Sequence, residues 1–254
     1  MKTNVERKTA ILAVSFGTSH NDTREATIDA IEEALKNACP DASLYRAWTS
    51  KMIIKKVNAR DNEQMKQDGI TDVMIQPTHV INGIENDLMK EDALAYKDAF
   101  HSISFGAPLL TSEEDTNKVI EILADEFSWL NKKQALVFMG HGTTHFSNSI
   151  YAALDYAFKD KGHPNIFLAT VEAYPSIDSL KRLVDAYKPE EIVLAPFMIV
   201  AGDHAKNDMA GDDPDSWYNK FKAAGYKVKP ILKGLGEYRG IQELFVEHLK
   251  TIEQ

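Results

Sequence analysis

The stretch VFMGHGTTH, residues 137–145, decides the fold of this chain. A run of apolar residues ends abruptly at Gly140, and a helical pattern begins near Phe146. A short apolar run followed by glycine and a helix is typical of a strand in an open α/β sheet. Because ligands bind just beyond the carboxyl ends of such strands, we expect His141 at a ligand-binding edge. An imidazole there can hold a metal or accept a proton near neutral pH, and the flanking Gly140 and Gly142 let a ligand come close.

The same alternation of strand and helix continues on both sides of this stretch. Apolar runs predict strands at 9–16, 42–48, 72–76, 102–105, 135–139, 166–171, 191–195 and 226–231. Helical spacing predicts helices after Asp22 and over 50–67, 85–100, 111–130, 146–159, 176–187, 214–224 and 238–252, with a long loop between 196 and 213. Asp22 and Glu25 are expected to form the capping box of the first helix. This alternation predicts an α/β fold of parallel sheets covered by helices on both faces.

The polar segment 131–134 divides the pattern into two parts. We expect one α/β lobe at 1–130 and a second at 131–254, and the last helix could pack back on the first lobe.

The composition indicates a globular protein and narrows its partners. The chain has 254 residues, 44% of them hydrophobic, and a formal net charge of −9. That charge argues against nucleic acid, since no basic stretch is dense enough to offset the repulsion. No apolar run is long enough to cross a bilayer and no leader pattern precedes the first strand, so we expect a cytoplasmic protein without a membrane partner. The lone cysteine, Cys39, allows no internal disulfide and is interpreted as structural.

Two pairs of segments indicate an internal duplication. Residues 16–20, FGTSH, align with 141–145, HGTTH. Each of these two segments follows the first strand of its part of the chain and precedes the first helix. Residues 77–85 align with 196–204, where a third strand ends at proline and glycine follows six residues later. Between these segments, the second strand is expected to end at Trp48 in one part and at Glu172 in the other. If the duplication is real, two similar sheets face each other across a cleft. One wall then offers Phe16, Trp48 and Glu85, and the other offers His141, Glu172 and His204.

The second wall has the donors of a metal site. Two imidazoles and a carboxylate suit a borderline divalent cation such as cobalt, iron, nickel or zinc, and affinity alone does not choose among them. The ordinary alternatives are a histidine bonded to backbone for His141, a loop histidine for His204 and a partner of a basic residue for Glu172. Glu85 could simply be a favourable charge in the first turn of a helix. The mostly aromatic first wall suits a flat aromatic guest.

Other polar residues are secondary candidates. His20, His79 and His145 lie near the same strand ends and could support the site, whereas His101, His163 and His248 are interpreted as surface or loop residues. The acidic run 203–215 could attract cations, or it could be an ordinary solvated loop. The cations Arg46, Lys51, Lys55, Lys56 and Arg60 could meet carboxylates on a guest, or they could form an exposed helix face.

These residues together resemble a known family, the anaerobic (class II) cobalt chelatases of cobalamin biosynthesis, which are related to ferrochelatase. The resemblance covers the whole chain and rests on SFGTSHNDTREATIDAIE, RAWTSKMI, IQPTHVINGIENDLM, VFMGHGTTH, ATVEAYPS and APFMIVAGDHAKNDMAGDD, in that order. It implies two flavodoxin-like lobes with a tetrapyrrole, sirohydrochlorin or precorrin-2, bound between them. It also implies insertion of Co²⁺, a substrate metal, into that ring.

The resemblance also implies roles for particular residues. His141, Glu172 and His204 would be cobalt ligands, and His141 would also accept a pyrrole proton. Glu85 would face them from the opposite wall, where it could take or relay the second proton. We expect the ring to contact Phe16, Trp48, Gly142 and Thr143. No GxxxxGK[ST] loop is present, so no nucleotide is expected.

Two other functions stay open at the level of sequence. One is a chelatase that inserts iron or nickel into the same ring. The other is a non-catalytic tetrapyrrole or haem carrier that uses one histidine as axial ligand. Self-association of identical chains is also left open.

Overall fold

The buried apolar runs form two four-stranded parallel sheets in the computed structural model, which describes residues 7–49 and 64–252. The first sheet has the order β2-β1-β3-β4 and contains β1 Thr9–Ser15, β2 Ser43–Trp48, β3 Asp72–Pro77 and β4 Ser102–Phe105. The second has the order β6-β5-β7-β8 and contains β5 Gln134–Gly140, β6 Ile166–Thr170, β7 Glu191–Phe197 and β8 Lys227–Pro230. The predicted α/β class and the two similar sheets are thereby confirmed.

Helices connect the strands of each sheet. Helix α1 consists of three consecutive segments, Asn21–Arg24, Glu25–Asp29 in π geometry and Ala30–Ala38. The others are α2 Ile84–Leu94, α3 Glu113–Glu126, α4 Ser149–Asp160, α5 Ile177–Tyr187, α6 Trp217–Ala223 and α7 Arg239–Ile252. Short 3₁₀ turns occur at Lys97–Ala99, Phe146–Asn148 and Leu235–Glu237. No helix in the described ranges is long and apolar enough to span a membrane.

Several local predictions were wrong. Helix α1 begins at Asn21, and no side chain caps its N-terminus, so Asp22 and Glu25 do not form a capping box. The segment predicted as a long loop is helical at 203–209, with a π segment at Ala205–Met209. Helix α2 ends at Leu94, earlier than predicted. The helix predicted over 50–67 falls mainly outside the described residues.

Strand registers test the predicted duplication. Val14 pairs with Pro77 and Met139 pairs with Pro196, so the first and third strands of the two sheets correspond as predicted. Gly17 and Gly142 both have positive φ, 97° and 87°, at the turns that leave β1 and β5. The second strands do not correspond as predicted, because Ser15 pairs with Trp48 whereas Gly140 pairs with Thr170. Trp48 is therefore equivalent to Thr170 rather than to Glu172.

The carboxyl ends of the two sheets face each other. Two contacts between a histidine and a carboxylate join the loops at these ends, one between His20 and Asp203 and one between His145 and Asp87. Thr18 and Gly202 also approach each other there, since a Cβ on Gly202 would lie 3.6 Å from the Thr18 hydroxyl oxygen. We call the space between these two edges the cleft.

One apolar core joins the two sheets. It includes Ile11 and Leu123 from the part of the chain that carries β1–β4, and Phe138 and Phe245 from the part that carries β5–β8. Helix α7, at the end of the chain, packs against α1, α3 and β3. The two sheets are thus held by shared apolar burial, the dominant favourable term in folding.

His248 on α7 was predicted to lie on the surface, and this prediction was wrong. Its side chain is buried, with Nε2 2.8 Å from the Asp115 carboxylate and Nδ1 3.0 Å from the Ala107 carbonyl. Asp115 also closes the capping box of α3 with Ser112. Burial raises the pKa of Asp115, but hydrogen bonds from His248 and Ser112 outweigh it and hold that pKa below its usual value.

We expect His248→Leu to destabilise the protein by about 3 kcal/mol, because it leaves a buried carboxylate without its ring partner. Urea unfolding followed by circular dichroism measures this change. Lys250→Ala, on the exposed side of the same helix, is the matched control and should leave the midpoint nearly unchanged. Equal midpoints for the two variants would contradict the assigned role of His248.

Candidate metal centre

Three strand ends bring two imidazoles and a carboxylate together. His141 directly follows β5, Glu172 lies two residues after β6, and His204 lies in the helical segment after β7. One donor atom from each residue lies within 4.8 Å of the other two. The two imidazole rings have centroids 4.7 Å apart and an interplanar angle of 79°. The predicted ligand set therefore converges at one place.

Backbone pairing that continues past the strands places His141 beside Glu172. The Val171 amide donates to the Gly140 carbonyl at 3.0 Å, and the Glu172 amide donates to the His141 carbonyl at 3.0 Å. Gly142 then turns the chain with φ at 87°. A Cβ on Gly142 would lie 2.9 Å from Ala173 and Thr170, so this turn requires glycine.

A hydrogen bond at Nδ1 orients each of the two imidazoles, and Nδ1 of His141 also lies 3.9 Å from the Glu172 carboxylate. Nδ1 of His141 lies 2.8 Å from the Gly142 carbonyl, which can only accept, so in the neutral ring the proton sits on Nδ1 and the lone pair on Nε2. Nδ1 of His204 lies 2.7 Å from the Asp208 carboxylate, and its Nε2 lies 3.7 Å from Glu172. Carboxylate and carbonyl partners of this kind fix the tautomer of metal-ligating histidines.

The spacing describes an open site. Ligands at about 2.1 Å from a tetrahedral ion are about 3.4 Å apart, so separations up to 4.8 Å require the donor atoms to approach one another by up to about 1.4 Å around an ion. The side chains of His141, Glu172 and His204 are 41%, 53% and 32% exposed. Three protein donors with solvent access leave positions on an ion for other ligands, as in sites that react rather than only bind.

Glu85 lies in the first turn of α2, the helix that follows β3 of the first sheet. Asp87, in the same turn, lies 3.4 Å from His145 at the edge of the second sheet, so the start of α2 lies close to that edge. Burial raises the pKa of Tyr151 to about 12, and the negative charge of Glu85 adds to that rise. The Tyr151 ring in turn packs against Gly140, where an added Cβ would lie 2.6 Å from it. Glu85 is thus placed near the end of β5, the strand that leads to His141.

The residues predicted to contact a ring have different surroundings. Phe16 is 52% exposed and occupies the position equivalent to His141. Trp48 is partly buried, with the Arg46 guanidinium 5.3 Å from its ring centroid. Thr143 stabilises its own loop, since its hydroxyl oxygen accepts a hydrogen bond from the His145 amide at 3.2 Å.

Some polar residues have roles that the sequence did not reveal. Asp208 was predicted only as a member of an acidic run, yet it orients His204. Arg46 was interpreted either as a contact for carboxylates on a guest or as part of an exposed helix face, but Asp29 and Glu32 of this chain pair with it. Lys51, Lys55, Lys56 and Arg60 fall outside the described residues.

His79 is a buried neutral histidine beside the cleft. Its Nε2 lies 3.2 Å from the Thr49 hydroxyl. Burial lowers the pKa of His79 to about 4, although the Asn86 side chain opposes this shift. Asn86 lies one residue after Glu85, so His79 packs beneath the start of α2.

The sequence matches the cobalt chelatase (CbiK) family over residues 9–254. A sirohydrochlorin cobaltochelatase of Salmonella typhimurium is 40% identical to it, and the alignment covers 95% of each chain. A sirohydrochlorin cobaltochelatase of Nitratidesulfovibrio vulgaris, CbiKC, is 30% identical over 95% of this chain and 89% of the relative.

Two solved structures of enzymes share this fold. SirB from Bacillus subtilis with Fe³⁺ has a TM-score of 0.68 at 13% identity, covering 96% of this chain and 95% of SirB. CbiX, described as the terminal enzyme for siroheme biosynthesis in denitrifying bacteria, has a TM-score of 0.55 at 16% identity and covers 95% of this chain and 98% of CbiX. At these identities the likeness concerns the fold alone.

We expect Asp208→Asn to weaken Co²⁺ binding roughly 10- to 100-fold, because His204 loses the carboxylate that orients it. Isothermal titration of the protein with Co²⁺ measures the dissociation constant. Asp212→Asn, in the same acidic run, removes an equal charge without touching His204 and should bind as wild type. Equal weakening in both variants would show an effect of charge alone.

Titration of His79 should make stability depend on pH. Its pKa is about 4 in the folded chain and about 6.5 when unfolded, so the unfolded chain binds more protons between these values. Stability should therefore fall as the pH drops from about 6.5 to about 4, by up to about 3 kcal/mol. Urea midpoints of wild type and His79→Gln across this range measure it. Identical slopes in the two proteins would refute this assignment.

Proposed function

The chain belongs to the cobalt chelatase (CbiK) family, and from that premise we propose that it inserts Co²⁺ into sirohydrochlorin in cobalamin biosynthesis. It is an enzyme whose substrates are a divalent cobalt ion and a tetrapyrrole ring, and it needs no nucleotide. The observation that carries the proposal is the convergence of His141, Glu172 and His204 at one edge of the cleft.

The three side chains hold the incoming cobalt ion. Nε2 of His204 faces Glu172, and the orientation of His141 leaves its Nε2 lone pair available. Imidazole nitrogen and carboxylate oxygen suit borderline divalent ions. Because the ion is a substrate, the site must also release it, and the exposure of Glu172 is consistent with a carboxylate that exchanges ligands readily.

Insertion removes two protons from the ring. Co²⁺ replaces two pyrrole N–H protons, so the ring gains two positive charges and loses two, and no electron is transferred. As cobalt–nitrogen bonds to the ring replace the bond to His141, its Nε2 lone pair becomes free and accepts one proton. A histidine acts well as a base near neutral pH. No step in this sequence requires ATP.

Glu85 accepts the second proton. It lies on the opposite sheet, close enough to the end of β5 for its charge to act on Tyr151. The ring is proposed to lie between Glu85 and the metal ligands, and to contact Phe16 and Trp48 on the first sheet and Gly142 and Thr143 on the second. In that arrangement one face of the ring meets the ion and the other meets a carboxylate.

Other expectations accompany this proposal. The cytoplasmic location, the absence of nucleic-acid and membrane partners, the lobe boundary near residue 130 and any self-association stay predictions. Iron and nickel are outcomes to be tested beside cobalt, since the donor set does not by itself select one metal.

We expect His141→Ala and His204→Ala each to lower the rate of cobalt insertion at least about 100-fold, because each loses a ligand and His141→Ala also loses a base. Anaerobic mixing of sirohydrochlorin with Co²⁺, followed by visible absorbance, measures the rate. His163→Ala, a histidine in the loop before β6, is the control. Wild-type rates in both site variants would overturn the site, and ring binding without insertion by wild type would indicate a carrier.

Glu85→Gln should separate proton transfer from metal binding. The amide keeps the size of the side chain but is a far weaker base, so we expect kcat to fall while the dissociation constant for Co²⁺ stays at the wild-type value. The measurements are the same insertion assay and Co²⁺ titration. A weakened affinity for Co²⁺ would instead identify Glu85 as a ligand.

A further inference from the structure

His20 and His145 occupy equivalent positions in the two duplicated parts of the chain. Each follows a glycine of positive φ, Gly17 at 97° and Gly142 at 87°. In each loop the threonine hydroxyl oxygen two residues earlier accepts from the histidine amide, at 3.1 Å for His20 and 3.2 Å for His145. The two loops thus repeat one local structure, and each presents a histidine at the edge of the cleft.

Each of these histidines reaches a carboxylate on the opposite side of the cleft. Nε2 of His20 lies 2.8 Å from Asp203, and Nε2 of His145 lies 3.4 Å from Asp87. We call these two contacts the cross-cleft pairs. They are related by the duplication, because each joins the turn after a first strand to the segment after the third strand of the other sheet.

The two carboxylates lie beside residues of the proposed active site. Asp203 directly precedes His204, and Asp87 follows Glu85 by two residues. Glu85 and His204 are themselves equivalent, since each lies eight residues after the equivalent proline of its third strand, Pro77 or Pro196. Each cross-cleft pair therefore holds the segment that carries a site residue of the opposite sheet.

The contact made by His145 does not require a charged ring. The Ser147 amide donates to Nδ1 of His145 at 3.3 Å, which places the lone pair on Nδ1 and the proton on Nε2, the nitrogen that faces Asp87. Nε2 then carries the N–H that faces the Asp87 carboxylate at 3.4 Å, a longer contact than the 2.8 Å between His20 and Asp203. A glutamine at this position places an amide N–H at about the same distance from the backbone as Nε2 of histidine. The asparagine side chain is shorter, so its N–H does not reach Asp87.

Exposure argues against a role in overall stability. The carboxylates of Asp203 and Asp87 are 73% and 58% exposed, and exposed pairs of this kind contribute little to folding. The shared apolar core already holds the two sheets together. A weak contact can still fix a local position, and small displacements of reacting groups slow a reaction strongly.

We propose that His20 and His145 are positioning residues, which hold the His204 and Glu85 segments at opposite edges of the cleft in register with each other. This inference rests on the proposed function for its effect on catalysis. The contacts themselves can be tested without catalysis, because each variant should loosen a defined segment of the opposite sheet.

The first test is amide hydrogen exchange of the full-length protein. We expect His20→Ala to speed exchange in residues 203–209 and His145→Ala to speed exchange at the start of α2, each without a change in the other segment. His163→Ala is the control and should alter neither segment. Unchanged exchange in both variants would overturn the proposal.

The second test is steady-state insertion of Co²⁺ into sirohydrochlorin. We expect His145→Asn to lower kcat about ten-fold while the Co²⁺ dissociation constant and the melting temperature stay at wild-type values. His145→Gln should restore most of kcat, since it keeps the N–H donor to Asp87. Equal kcat in the asparagine and glutamine variants would overturn the role of this contact.

The two tests fail in distinguishable ways. If wild type does not metallate sirohydrochlorin but the exchange changes occur across the cleft, the proposed function fails and the cross-cleft pairs stand. If wild type metallates the ring but neither exchange nor kcat responds to the variants, the function stands and the positioning role is wrong.

Discussion

The hydrogen bond from the Glu172 amide to the His141 carbonyl is the contact on which the site depends. It extends the pairing of β5 and β6 beyond the last residues of both strands, so two ligands from distant parts of the sequence lie side by side. Gly142 makes this possible, because any side chain there would collide with Ala173 and Thr170. The candidate metal centre is therefore a consequence of sheet geometry, and only His204 is brought to it by a separate helical segment.

Duplication supplies two edges of similar geometry, and the side chains give them different chemistry. The position of His141 carries Phe16 in the first part of the chain, and the position of His204 carries Glu85. One edge thus gathers metal donors while the other offers an aromatic ring and a carboxylate. This asymmetry fits the proposed arrangement, in which a flat ring meets an ion on one face and a carboxylate on the other.

The sequence predicted the features that follow from local pattern. Apolar runs ending in glycine or proline located the strands, and the equivalence of Pro77 with Pro196 led to Glu85 and His204. The equivalence of Trp48 with Glu172 was wrong, because nothing in β2 or β6 marks where pairing with the first strand stops. Register is a property of two strands together, and the unpaired residues after β6 carry no composition signal.

Two side-chain pairs near or far along the chain were also not predicted from the sequence. Asp208 lies four residues after His204, a spacing that brings two side chains together on a helix. Because the segment 203–209 was predicted as a loop, this pairing was not expected. His248 did carry a signal, since it follows Ile241, Leu244 and Phe245 at helical spacing and so lies on the buried face of α7. Its partner Asp115 lies 133 residues away along the chain, so only the folded structure shows that the two side chains are in contact.

The wide spacing and solvent exposure of the donors in the candidate metal centre fit its proposed chemistry. A structural zinc site is closed, with four protein ligands at bonding distance and little solvent access. Here, among the described residues, three donors lie within 4.8 Å of one another and the central carboxylate is 53% exposed. Such a site binds an ion through bonds that can be exchanged one at a time, and the hydrogen bonds of Asp208 and Gly142 keep both rings oriented while that happens. A site that must surrender its ion to a ring needs ligands that are well oriented but incompletely closed, and this is the combination that the strand ends create.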